Sequence, residues 1–433
     1  TKPFPQFIYV LAMHVYAPVP PEAVDYWLAS EDDGKGGRRS IPRHERSTEF
    51  KRPEQVVGTG PYLLKEWRRK SKIVLVRNPD FREDYYPTEG APGDKEAGLL
   101  EDAGKRVPFI DVIHMNFVEE ESSAWMLFLT KRRDVSGIPP ETFDFVVTPG
   151  KELTDKWKER RIFLRKYNSP SIYWIAFNVE DPIFRASKSL RQAICLAYDV
   201  ENHIKVLYNG RGERAVNIIP STFKGHKEAG PGPYYKLDLD EARRKLQQAK
   251  KELQAVGLLT NGEIPELKLD LSSGAYANRL ADFARQQFDK LGLKLKVVFN
   301  DWPTLQRKVH NKQAQMYTMG WHADYPDAEN FLQLFYSGNI DKGTNNSNYS
   351  NPAFDKLYEK VRTTPDTPER TKMYAEMARM ISEDCPVLLL SEPTSFVLFY
   401  EWVKNFKPHP VGYGFAKYRR IDTDLRHALG GGR

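Results

Sequence analysis

Residues 320–327, Gly-Trp-His-Ala-Asp-Tyr-Pro-Asp, hold the densest chemistry in the chain. The carboxylate of Asp324 stands between Trp321 and Tyr325. That grouping suits an ammonium ion, because a charge-assisted hydrogen bond meets the charge while the rings exclude water and add cation–π attraction. On physical grounds alone the same residues suit a structural role somewhat better, with Asp324 capping the following turn and Trp321 in the core. Elsewhere, His-Glu-x-x-His, Cys-x-x-Cys, P-loop and Gly-x-Ser-x-Gly patterns are absent. Gly210-Arg211-Gly212 lacks the rest of a dinucleotide fingerprint; the nine histidines are scattered, and a lone one such as His114 reads as structural. No catalytic group, metal site or cofactor is expected, and the chain is not expected to be an enzyme.

The elements that position this segment are legible from periodicity. Leu267, Leu269 and Leu271 alternate as a strand; Leu280, Phe283, Ala284, Phe288 and Leu291 follow at helical spacing, closed by Gly292; then Leu293, Leu295, Val297 and Phe299 alternate again. Strand, helix, strand in this order is a βαβ unit. A short helix from Pro303 leads to a strand over 315–319, and the 320–327 segment follows its carboxyl end, where open α/β sheets bind ligands. Helices begin after Asn351 and Thr367, each with proline at its first position, the second running to Glu383; residues 387–390 form a buried strand. Earlier, a turn at 58–61 precedes a strand at Ile73–Val76, and a helix occupies 121–133. The sum is a mixed α/β protein.

At 433 residues, two or three domains are expected. The net charge of +7 is small beside 65 basic and 58 acidic residues, the basic clusters are short, and no nucleic-acid motif accompanies them, so nucleic acid is not expected as a partner. Aromatic residues make up 12% of the chain, more than a plain core requires, and Tyr and Trp suit adaptable binding surfaces. Cys195, in an apolar helical run, and Cys385, just before a strand, read as core residues. No apolar run approaches a membrane span, and no signal peptide begins the chain. Residues 31–55 and 83–107 are polar, aperiodic and rich in Gly, Pro and charge; both read as surface insertions.

Several separated motifs, in order, carry a resemblance to the family 5 extracellular solute-binding proteins, the oligopeptide- and dipeptide-binding components of ABC importers. They are Gly58-Thr-Gly-Pro-Tyr-Leu-Leu-Lys-Glu-Trp67 with Val76-Arg-Asn-Pro-Asp-Phe81; Tyr173-Trp-Ile-Ala-Phe-Asn178 with Leu190-Arg-Gln-Ala-Ile194 and Ala197-Tyr-Asp199; and Gly320 to Asp327. The helices and strand from Asn351 onward also fit. The resemblance implies a two-lobed α/β binding-protein fold. Residues 1–165 would form part of the first lobe, 166–385 the second, and 386–433 the return to the first, with a peptide held in the cleft. It implies that Asp324 pairs with the peptide's amino terminus and that the backbone around Gly320 and His322 bonds its main chain, as a strand added to an edge. Trp321, Trp302 and His310 would line side-chain pockets, Tyr173 and Trp174 would form aromatic walls, and Tyr325 and Asn178 would complete the ligand-binding set. The implied location is periplasmic or extracellular, the implied partners are peptides and ABC-transporter membrane subunits, and a signal peptide is expected in the precursor.

The chain departs from the family pattern in two places. Thr318 stands where one oligopeptide-binding subgroup has a basic residue for the peptide carboxylate, and Lys224 falls close to another such position. The chain also begins inside the family pattern, which leads to the expectation that a leading segment of the first lobe is absent and is supplied by a second chain or a longer precursor. Alternatives left open are another solute on the same fold (a nickel chelate, haem, an oligosaccharide or a peptidoglycan peptide) and an envelope interaction or chaperone-like role.

Overall fold

The computed structural model describes residues 3–274, 276–341, 343–409, 411–412 and 414–431. The chain divides into two compact units: His14–Arg165 with Phe396–Arg433, here the first unit, and Thr1–Met13 with Lys166–Ser395, the second. The return crossing, expected at 386, falls at Ser395/Phe396, and residues 1–13 belong to the second unit.

In the first unit, β1 (Tyr62–Arg68), β2 (Lys72–Arg77) and β3 (Val112–Asn116) form an antiparallel meander. Helix α1 (Glu121–Leu129) buries Trp125 and Phe128 in a core shared with Trp157, Leu398, Tyr400 and Trp402. The Tyr400 and Trp402 rings stack at 4.1 Å, and each large aromatic so buried contributes about 2–3 kcal/mol of transfer free energy. Residues 31–55 carry a short exposed hairpin, Ser30–Asp32 against Arg38–Ser40. The 83–107 segment corrects the sequence reading, because it is not a loose surface insertion. Tyr86, Leu99, Asp102 and Val107 are buried within it. Ion pairs pin it to the carboxyl-terminal stretch: Asp102 with Arg420 at 2.7 Å, Asp94 with Lys407 at 2.6 Å, and Asp84 with Lys417 at 2.5 Å.

The second unit is built on a mixed sheet of β4 (Ser171–Phe177), β5 (Leu267–Ser272), β6 (Leu295–Asn300), β7 (Met316–His322) and β8 (Val387–Tyr400) in the order β6-β5-β7-β4-β8. Pairing is parallel from β6 through β5 to β7 and antiparallel from β7 through β4 to β8. Its core gathers the apolar faces of α2 (Lys188–Ala197), α3 (Leu239–Ala255) and α4 (Ala277–Asp289) on Leu267, Leu269, Leu271 and Met316. The buried residues of α4, among them Ala281, Ala284 and Phe288, recur at the spacing that keeps one helix face on the sheet. Strand β8 is far longer than the expected 387–390. Its pairing with β4 and with Gly212–Arg214 keeps its first part in the second unit, which is why the chain returns later than 386.

Three helices flank the site. Helix α5 (Trp302–His310) is capped by Asp301, whose carboxylate accepts from the Thr304 N–H. The Asn351 amide oxygen caps α6 (Pro352–Val361), and the Thr367 hydroxyl caps α7 (Pro368–Asp384), each with proline in its first turn. Cys195 and Cys385 are free thiols buried in the core, as their apolar contexts imply. Among the described residues no helix is long and apolar enough to cross a membrane.

Candidate ligand-binding site

Strand β7 is the spine of the site. It pairs with β4 along its whole length, Met316 opposite Phe177 through His322 opposite Ser171. On its other side it pairs with β5 only at Met316 and Tyr317. Among the described residues, Thr318–His322 therefore presents one unpaired strand edge, whose free N–H and C=O groups can take an added extended chain. Gly320 sits mid-edge for a packing reason. A Cβ there would lie 2.4 Å from Cδ1 of Tyr173, the residue opposite it, so any side chain would displace that ring.

Next to this strand lies a cavity of about 360 Å³. Its apolar wall includes Trp174, Trp302, Trp321 and Phe335, and its polar groups come from Gln306, His310, Tyr317, Thr344, Asn346 and Ser347. Trp174 is 5% exposed, whereas Trp302, at the first turn of α5, is 46% exposed and free to meet a ligand. The register explains the gathering: Trp174 on β4 faces Met319 on β7, and α5 delivers Trp302, Gln306, Val309 and His310 at spacings of three and four residues.

The loop after β7 is held from inside by Asn330, which is fully buried. Its Oδ1 accepts from the Trp321 indole N–H at 2.8 Å and from the Asp324 backbone N–H at 3.0 Å, and its Nδ2 donates to Asp324 Oδ2 at 3.1 Å. One residue thus orients the cavity wall and the carboxylate together, and Asp324 Oδ1 has no protein donor among the described residues. Asp324 does not cap the turn. That role falls to Asp327, whose Oδ1 accepts from the Glu329 N–H at 2.9 Å and whose Oδ2 pairs with Arg370 at 2.8 Å. Tyr374 also donates to Asp327, and Tyr325 and Tyr358 donate to Glu329. Burial, followed by the Asp327 charge, pushes the Tyr374 phenol well above its ordinary value, so it remains a donor at any physiological pH.

The structure brings Trp174, Trp302, His310, Gly320 and Trp321 to one cavity. It places Tyr173, about half exposed, on Gly320, and bonds His322 through Nδ1 to the Ser171 hydroxyl at 2.8 Å. Tyr325 faces inward to Glu329. Asn178 is a correction: at 4% exposure, its amide donates to the Lys312 carbonyl and accepts from the Glu180 N–H and from Asn348, so it organises loops and does not face the cavity. Lys224 is engaged with Asp366 at 2.6 Å on an exposed surface. Sequence reasoning missed Asn330 and Arg370 and gave Asp327, though inside the quoted segment, no role. The only sequence signal was the density of polar residues directly after the aromatic segment.

Asn330→Ala should destabilise the second unit by about 2–3 kcal/mol, since it strands the Trp321 and Asp324 N–H donors in a buried site. Urea denaturation read by tryptophan emission checks it. An unchanged midpoint would show that the loop does not depend on this hub.

A mixed-sheet α/β unit with an open strand edge, an aromatic cavity beside it and a fixed carboxylate at the strand's end has the construction of a receptor for small solutes. The sequence matches the bacterial extracellular solute-binding proteins, family 5, over residues 1–343, and the chain belongs to that family. It is 23% identical over 336 residues to the oligopeptide-binding protein OppA of Bacillus subtilis, with 77% of this chain and 55% of that protein covered. To the dipeptide-binding protein of Escherichia coli it is 22% identical, with 82% of this chain and 59% of that protein covered. The chain thus spans less than two thirds of the length of these relatives. Its fold is that of the periplasmic binding protein DppA from Helicobacter pylori, solved in complex with the peptide STSA (TM-score 0.71, 21% identity, 98% of this chain and 71% of that one). It is also that of AppA from B. subtilis in complex with a nonapeptide (TM-score 0.63, 22% identity, 84% and 66%). The idea of a second chain supplying a leading segment finds no support in these likenesses.

Proposed function

We propose that this protein binds short peptides and delivers them to an ABC importer from the periplasmic or extracellular side of the membrane. The observation that carries the reading is the Asp324 carboxylate, fixed by Asn330 at the end of an unpaired strand edge beside an aromatic cavity. The peptide backbone adds to Thr318–His322 as a strand, its ammonium group meets the free oxygen of Asp324, and its side chains enter the cavity. The relatives' names and the peptides in the solved neighbours support the same substrate class. Bound peptide is held without turnover: the grouping supplies a charge partner and walls, and the Ser169 and Ser171 hydroxyls that meet His322 Nδ1 do so with no carboxylate on that imidazole among the described residues.

Asp324→Asn keeps the size and removes the charge. Calorimetry should show a loss of about 1.5–3 kcal/mol in affinity for a tripeptide with a free amino terminus. If the variant binds as tightly as the parent, the amine-anchor assignment is wrong.

A further inference from the structure

The cavity beside β7 has a charge inventory of its own. Among the described residues lining it there is no Asp, Glu, Lys or Arg. The apolar part of the wall is indole, phenyl and aliphatic, from residues such as Trp174, Trp302, Trp321, Phe335 and Val387, and Gln306, Asn346, Ser347 and the His310 imidazole add amide, hydroxyl and ring nitrogen. Within this lining, two hydroxyls are buried and without a hydrogen-bond partner among the described residues, those of Tyr317 and Thr344. Buried polar groups in folded proteins are almost always satisfied, so two unpartnered hydroxyls on residues that line the cavity are donors and acceptors that a bound group reaching them can satisfy. Burial pushes the Tyr317 phenol far above its ordinary value, so it stays protonated and acts as donor or acceptor but not as an anion.

Resting on the peptide reading above, we propose that this cavity selects an uncharged peptide side chain with an apolar body and a single hydrogen-bonding tip. A phenol is the best fit: its ring meets the indoles and its hydroxyl bonds to those of Tyr317 and Thr344. A phenyl side chain fills the same walls and leaves the two hydroxyls unpaired. An acidic or basic side chain must lose its water with no carboxylate, ammonium or guanidinium in the lining to pair with it, which is the costliest of the three outcomes. The site thereby acts as a filter on side-chain type, superimposed on main-chain recognition that is indifferent to sequence.

The test is calorimetry of the chain with alanine tripeptides carrying Tyr, Phe, Glu or Lys in turn at each of the three positions. At the position that enters the cavity, the Tyr peptide should bind about three- to tenfold more tightly than the Phe peptide. The Glu and Lys peptides should be weaker than Phe by about tenfold or more. Tyr317→Phe should draw the Tyr-to-Phe ratio toward one, and Thr344→Val should reduce it in the same direction; the ratio is read within each variant, so a general loss of stability does not imitate the result. Peptides that bind with no order among the four side chains at any position would overturn the selectivity and leave peptide binding intact. Tight binding of the Glu or Lys peptide at the selective position, or an unchanged ratio in both variants, would also overturn it. Failure of every tripeptide to bind would overturn the peptide reading itself and this inference with it.

Discussion

Arg370→Met should destabilise the second unit by about 3–5 kcal/mol, the largest effect expected of any single substitution in the binding region. The guanidinium is 3% exposed and its carboxylate partner, Asp327, 7% exposed, at 2.8 Å. Taking both charges out of water is expensive, and their attraction offsets the cost only while both are present. Methionine leaves a buried carboxylate supported by the Tyr374 hydroxyl and the Glu329 N–H alone. Because that carboxylate caps the turn leading into the short helix Glu329–Leu332, the damage should reach Asn330 and, through it, Asp324 and Trp321. Peptide affinity should therefore fall together with stability. The double variant Asp327→Asn/Arg370→Met removes both charges and should recover most of the loss. Urea denaturation of the four proteins forms a cycle, and a coupling energy near zero would show that the pair is not a unit.

The second large effect lies in the first unit and depends on pH. Asp102 is wholly buried, and burial alone would raise its pKa. Hydrogen bonds from Lys105, Arg420 and Asn405 outweigh that and bring it down to about 2. A carboxylate whose folded-state pKa is depressed contributes stability above its unfolded pKa, near 4, and loses it as pH falls through the folded value. This group should thus contribute about 2 kcal/mol at neutral pH that disappears between about pH 4 and pH 2. Asp102→Ala should destabilise the unit by about 3 kcal/mol at pH 7, since Arg420 loses its buried partner, while at pH 2 the variant and the parent should converge. Thermal unfolding at the two pH values reads this directly. A difference that persists unchanged at pH 2 would mean that the charge of Asp102 is not what stabilises the segment.

These two clusters also show what was legible in the sequence. Elements whose signal is local could be read directly. Leu267, Leu269 and Leu271 form a strand, α4 follows with its apolar face inward, and Asn351-Pro352 and Thr367-Pro368 open helices as their capping chemistry requires. The aromatic wall was partly legible too, because Trp302, Trp321 and Trp174 lie beside strand and helix signals that fix their spacing. What failed was long range. Asp102 and Arg420 are 318 residues apart in the chain, so the 83–107 segment looked like solvated polar sequence when its charges are in fact neutralised by partners in the carboxyl-terminal stretch. Asp327 and Arg370 pair across 43 residues in the same way. Asn178 lies in a segment that resembles the family pattern, yet its amide serves the loops at Lys312 and Asn348; such a resemblance alone does not say which way a side chain points. The length of β8 was missed because its middle, Glu392-Pro-Thr-Ser, carries polar residues and a proline that reads as a strand end.

The central claim is that Asp324 and the β7 edge receive a peptide by its amino terminus and main chain. Native mass spectrometry of the purified 433-residue chain, incubated with equal amounts of a tripeptide and its N-acetylated counterpart, tests it most directly. The account predicts a one-to-one adduct with the free-amine peptide, recovered intact after hours, and a far weaker adduct with the acetylated one. Equal occupancy by both peptides, or a chain that ignores both and carries a non-peptide mass, would contradict it.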